Sequence, residues 1–207
     1  MTTTKKRRSG EPMPNTRNVG ILIFNDVEVL DFCGPFEVFS VTSPRGVFNV
    51  FTLAATLDAV LTRGGLSVNP KYTLADAPAI DLLVIPGGLG TRPLMHDAAL
   101  IGWIRERSQK AELVLSVCTG ALLLGKAGLL DGLSATTHQG ALDLLRETAP
   151  KTTVCGDRRV VDNGKVITSG GIAAGIDMSL HVAEKLLGLE TAQATARYME
   201  YPWTSQS

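Results

Sequence analysis

Cysteine is scarce in this chain of 207 residues: Cys33, Cys118 and Cys155 are an odd number with no CxxC spacing. That excludes a disulfide framework and a zinc site, and reduced thiols point to a cytoplasmic protein. The three histidines are unclustered, so no metal centre is expected. Charge of either sign is also missing in excess, since 20 Lys+Arg balance 20 Asp+Glu. A general nucleic-acid binder would carry a basic face, so no nucleic-acid partner is expected. No uninterrupted apolar run reaches the roughly 20 residues that cross a bilayer, and no membrane partner is expected. No GxGxxG follows the first apolar run, which removes a dinucleotide fold. Gly120-Ala-Leu-Leu-Leu-Gly125-Lys126 has the spacing of a phosphate-binding loop. However, Ala127 stands where a magnesium-binding hydroxyl is needed, and the intervening leucines favour a buried helix. No cofactor is expected.

What remains is the composition of a globular protein, 44% hydrophobic and 19% charged. A chain of this size buries about 70% of its unfolded surface and needs no staple. Residues 1–17, with Lys5, Lys6, Arg7 and Arg8 and almost nothing apolar, read as a disordered basic tail; no apolar stretch of a secretory signal follows the charges. Residues 18–203 read as a single domain. Asn18–Phe24, Phe48–Ala55, Asp81–Gly88 and Glu112–Cys118 are near-continuous apolar runs, as strands buried on both faces should be. Pro93–Lys110 repeats apolar residues at three- and four-residue spacing and reads as one amphipathic helix. Buried helices are expected after Cys118 and before Gly188, and a last helix toward Tyr201. A further short strand is expected at Leu133–His138. Asp162-Asn163-Gly164 marks a hairpin, and Arg63-Gly64-Gly65-Leu66 a second near a sheet edge. Strands alternating with helices predict a doubly wound α/β domain: a mostly parallel sheet, helices on both faces, and a small β-hairpin elaboration.

Active sites of such sheets lie beyond the carboxyl ends of the strands. Cys118 is where a buried strand turns straight into a helix, with Gly120 allowing close packing. This is the geometry of a nucleophile elbow, although a structural cysteine can also end a strand. Helix amides there should lower the thiol pKa. Asp31 precedes Cys33-Gly34-Pro35, and Pro35 is a natural first helical residue. Asp31 is therefore either the cap of that helix or a proton partner for the thiol. Glu37 lies on the same helix with either orientation open. Gly87 and Gly88 can bring backbone amides close to a ligand, or simply turn the chain. Gly170-Gly171, before Ile172, offers a second wall. His138 ends a strand on the same side, as a pocket residue or a structural one. Cys33 and Cys155 read as small core residues.

These strings together, LDFCGPFEV, IPGGLG, SVCTGALLLGKAGLL, ATTHQ and GGIAAGID, resemble the ThiJ/PfpI superfamily over about Val19–Tyr201. The resemblance implies a flavodoxin-like fold of the class-I glutamine amidotransferase kind, with Cys118 as nucleophile. In peptidase-like members a histidine follows the cysteine, whereas Thr119 follows here. Many relatives pair the cysteine with Glu, whereas the branch that hydrates isocyanides has Asp at the position of Asp31. Asp31 is then implied to be the acid/base, with Gly88 and Thr119 as backbone donors and Gly87, His138, Gly171 and Ile172 around the pocket. Gln139 replaces a frequent Trp and Ala173 a Thr, and both reshape the expected wall. The resemblance further implies a homodimer acting on a small molecule.

For an isocyanide, the expected chemistry is attack by Cys118 on the terminal carbon with proton delivery by Asp31, giving a thioimidate that water resolves to the N-formamide. That requires an Asp31 whose pKa is raised by burial. The same scaffold also admits an amidase, a glyoxalase-like activity on reactive carbonyls, or a redox or ligand sensor. Related regulators carry a helix-turn-helix after this domain. Only a few residues follow Tyr201, so direct DNA binding is not expected.

Overall fold

The computed structural model describes residues 16–205. The basic cluster Lys5–Arg8 lies outside the described residues. Arg17, assigned to the tail on sequence, already belongs to the sheet, and its guanidinium is bound by Glu112.

Seven strands form one sheet: β1 (Arg17–Leu22), β2 (Phe48–Ala54), β5 (Tyr72–Thr73), β6 (Leu82–Ile85), β7 (Leu113–Val117), β10 (Val160–Asp162) and β11 (Val166–Ser169). Their order is β10-β11-β7-β6-β1-β2-β5, and every neighbouring pair is parallel except β10–β11. The central strands β6, β7 and β11 are buried throughout. A strand with helices over both faces has no wet side to mark with polar residues, hence its continuous apolar sequence. Two small paired sheets, β3 (Val60–Leu61) with β4 (Ser67–Val68) and β8 (Ser134–Ala135) with β9 (Thr153–Val154), lie outside it.

The helices are α1 (Val29–Val41), α2 (Thr91–Leu94), α3 (Ala98–Lys110), α4 (Gly120–Lys126), α5 (Leu142–Thr148), α6 (Ala174–Leu187) and α7 (Leu189–Tyr198). α1, α6 and α7 pack together as one layer, and α2, α3 and α5 gather around α4 as the other. Both hairpins form where the glycine-containing turns predict them. Gly188, at φ 91°, ends α6 as expected of a residue without a Cβ.

Three local readings are corrected. The apolar repeat of Pro93–Lys110 is two helices, because Asp97 leaves helical geometry and its Oδ1 caps α3, accepting from the amides of Ala99 and Leu100 at 3.0 Å each. Replacing Asp97 by alanine should lower the unfolding free energy by about 1 kcal/mol in a urea titration. Strand structure in Leu133–His138 shrinks to two residues paired with β9, outside the main sheet. Pro35 lies inside α1, which begins two residues before Asp31. Glu37 faces solvent, and Cys155 is half-buried at the edge of the fold.

Candidate active site

The site is assembled where β1, β6, β7 and β11 end. The chain leaves β7 at Val117, and Cys118 takes φ 55°, a left-handed conformation disfavoured for a residue with a Cβ. Neighbouring strands hold it there. The Cys118 amide donates to the carbonyls of Ser169 (3.2 Å) and Gly170 (3.0 Å), and its carbonyl accepts from Thr137 Oγ1 (2.8 Å). α4 begins immediately afterwards, against β6. A Cβ on Gly120 would collide with the Ile85 carbonyl, so the close turn requires glycine. The phosphate-loop spacing noted in this stretch is a buried helix, with Gly120 through Gly125 all inaccessible.

Asp31 sits on the first turn of α1 and is fully buried. It does not cap that helix: Glu28 occupies the cap position, without a side-chain bond. The Asp31 carboxyl points across to the neighbouring strand end, where Oδ2 accepts the Gly87 amide at 2.9 Å. Oδ1 has no hydrogen bond of ordinary geometry, and the Cys118 thiol, the Glu28 charge and the Ile172 amide also act on the carboxyl. Desolvation dominates here and pushes the Asp31 pKa up to about 7, against the opposing pull of the Gly87 amide and the Cys118 side chain.

The thiol departs from expectation. Cys118 is 5% exposed, and burial pushes its pKa up to about 12, with the facing Asp31 charge adding to the rise. The amides of Thr119 and Ile172 act in the opposite direction and are outweighed. The amides at the helix end therefore do not by themselves lower the thiol pKa.

The glycine pair is present but its donors are committed. The Gly87 amide holds Asp31, and the Gly88 amide donates to Thr119 Oγ1 at 3.0 Å. Gly88, at φ 124°, lies so close to Asp26 and Glu28 that a Cβ would strike the Asp26 carbonyl. A Cβ on Gly87 would fall 2.5 Å from the Thr119 nitrogen and 2.8 Å from Asp31 Oδ2. Gly87→Ala should therefore displace the Asp31 carboxyl and cost about 1–3 kcal/mol in a urea titration. The Thr119 hydroxyl turns to the Gly88 loop and Thr91. Thr91, fully buried, also donates to the Gly88 carbonyl at 2.8 Å. Sequence reading missed it, because a threonine opening a four-residue helix carries no periodic signal.

Ile172, at φ 55°, is a β-branched residue in the left-handed region and an outlier in any fold. That conformation lets its amide act on both Cys118 and Asp31. His138 packs against Gly171, where a Cβ would collide with its ring. Its Nδ1 accepts from the Gly140 amide at 3.1 Å, which places the neutral ring's proton on Nε2. It has no hydrogen bond to Cys118, so the thiol is not half of a cysteine–histidine pair. Gln139 is exposed.

A cavity of about 90 Å³ opens over the thiol, lined among others by Glu28, Arg63, Gly88, Cys118, Thr119 and Ile172. Among the described residues no cluster of His, Cys, Asp or Glu could hold a metal ion, and no helix is long and apolar enough to cross a membrane.

This architecture has relatives. The model of the DJ-1/PfpI family matches residues 17–185. The chain belongs to the DJ-1/PfpI family. It is 40% identical to the isonitrile hydratase of Pseudomonas putida over 183 residues, 88% of this chain and 78% of that protein. A ThiJ/PfpI family protein from Pseudomonas syringae superposes with a TM-score of 0.84 at 28% identity, covering 99% of this chain and 85% of the other. The transcriptional regulator GbdR of Pseudomonas aeruginosa is 25% identical over 190 residues. This chain spans about half of that regulator, 51% of its length, and 90% of the chain is matched. The expected mostly parallel α/β architecture, with helices in two layers, is thus the fold of this family member.

Proposed function

We propose that the protein hydrates isocyanides to N-formamides. The observation carrying this reading is the buried Asp31 carboxyl, with one oxygen fixed by Gly87, facing a buried thiol at the base of a small cavity. The similarity to the hydratase of Pseudomonas putida supports the choice of substrate.

The chemistry is addition of S–H across the terminal carbon of R–N≡C. Sulfur bonds to that carbon as the Asp31 carboxylate takes the thiol proton and passes it to the same carbon, giving the thioimidate R–N=CH–S–Cys118. A pKa near 7 suits both halves of this transfer, basic enough to accept the proton and acidic enough to return it. The Thr119 and Ile172 amides, which favour negative charge on sulfur, stabilise it as the proton leaves. Water, activated by Asp31, then adds to the C=N carbon. Collapse releases R–NH–CHO and returns the proton to sulfur. No redox step or cofactor enters.

The protein is an enzyme acting on a small molecule in this reading, working as a cytoplasmic homodimer. Its test is formamide release from an aromatic isocyanide, beside methylglyoxal with and without glutathione. Formamide release supports the proposal. Consumption of methylglyoxal without isocyanide turnover replaces it with a carbonyl-directed activity. Cys118 oxidation without any turnover makes the domain a sensor.

A further inference from the structure

The cavity over Cys118 is asymmetric in charge. Glu28 and Arg63 line it and neutralise each other through an ion pair, Arg63 Nη1 to Glu28 Oε2 at 3.0 Å. Arg92 also lines it and has no carboxylate within ion-pair distance among the described residues. Its guanidinium is half-buried and held from one end only. Nη1 donates to the Gly88 carbonyl (3.0 Å) and to Thr91 Oγ1 (3.2 Å), leaving the Nε and Nη2 donors uncommitted. Those two bonds tie the arginine to the loop that also holds Thr119, so its fork is positioned and not waving in solvent. A positioned guanidinium with free donors in a concave site matches a carboxylate, which accepts two parallel N–H bonds. Arg92 and Cys118 line the same small cavity, so one small molecule can meet both.

Resting on the hydratase reading for its reacting group, we infer that Arg92 selects substrates that carry a carboxylate beside the isocyanide. Isocyanoacetate is the simplest example. Arg92 is then a specificity determinant: it binds the substrate's acid group while Cys118 and Asp31 act on the other end.

Isocyanoacetate and its neutral near-isostere isocyanoacetamide isolate the charge. In the wild type, kcat/KM for the acid should exceed that for the amide by at least about tenfold. In Arg92→Met the ratio should fall to near one, and Arg92→Lys, which keeps charge but not the fork, should lie between them. Equal rates in the wild type, or a preference that survives Arg92→Met, would overturn the inference while leaving the hydratase reading intact. If neither compound nor the aromatic isocyanide turns over, the hydratase reading fails and a second arm still decides. Iodoacetate and iodoacetamide alkylate the same thiol, with iodide leaving and the thiol proton lost. Their rate ratio at Cys118, read by peptide mass spectrometry, should favour the anion at least about tenfold more than the ratio at half-buried Cys33 in the same molecule. Arg92→Met should erase that difference. A Cys118 ratio no higher than the Cys33 ratio in the wild type overturns the anion site whatever the enzyme does.

Discussion

Replacing Cys118 by alanine is expected to lower formamide release at least about 10⁴-fold, because no other group can form the thioimidate. The thiol lines the cavity and faces the buried Asp31 carboxyl. The fold should tolerate the change, since the elbow is held through backbone bonds to Ser169, Gly170 and Thr137 and not through sulfur. Cys118→Gly separates function from strain still further. A Cβ at φ 55° costs about 1–2 kcal/mol, which glycine does not incur. The glycine variant should be equally inactive, yet more stable to urea than the alanine variant by about 1 kcal/mol. Turnover within tenfold of wild type in either protein would place the nucleophile elsewhere.

Asp31→Asn is expected to have a large effect on rate, and a distinctive one on pH. The amide has the shape of the carboxyl but accepts no proton, so turnover should fall about 10²–10⁴-fold. Wild-type kcat/KM should rise with pH through a single ionisation near 7, the form able to take the thiol proton being the carboxylate. That ionisation should be missing from the residual activity of the variant. Stability moves the other way. The folded pKa of Asp31 lies above its ordinary 3.8, so the stability contributed by the neutral buried carboxyl is fully present below about pH 4. It is lost as pH rises through 7. A shift of about three units corresponds to about 4 kcal/mol at most. Unfolding at pH 4 and pH 8 should therefore show the variant gaining on the wild type by a few kcal/mol at the higher pH. A constant difference between the two proteins would mean that Asp31 ionises normally and cannot serve as the shuttle. The same burial that raises the Asp31 pKa makes the fold less stable above neutrality.

Much of the architecture is legible in the chain because it follows from local rules. Residues buried on both faces of a sheet must be apolar, so the strands at Leu82–Ile85 and Leu113–Val117 announce themselves. The Asp162-Asn163-Gly164 turn and the Gly188 helix stop each reflect a backbone conformation that few residues tolerate. Cys118 is conspicuous for the same reason, being the residue where a buried strand becomes a helix without a loop. The break at Asp97 was hidden because apolar spacing happened to continue across it, although the cap itself is a local signal.

The chemistry of the site was not local. Asp31 and Gly87 are 56 residues apart, and whether Asp31 caps its own helix or faces a distant thiol depends on how α1 lies against β6. The helix end at Cys118 is visible in the sequence and favours the thiolate, but burial and the facing carboxylate, which come from packing, outweigh it. Likewise, two glycines in a row promise two free amides, but tertiary contacts assign one to Asp31 and the other to Thr119. The uncommitted fork of Arg92 follows from which neighbours reach it, and no sequence pattern encodes that. Sequence alone determined which segments must be buried and where the chain must turn. The tertiary structure decided which charges meet, because electrostatic energy depends on distance and solvent exclusion between residues far apart in the chain.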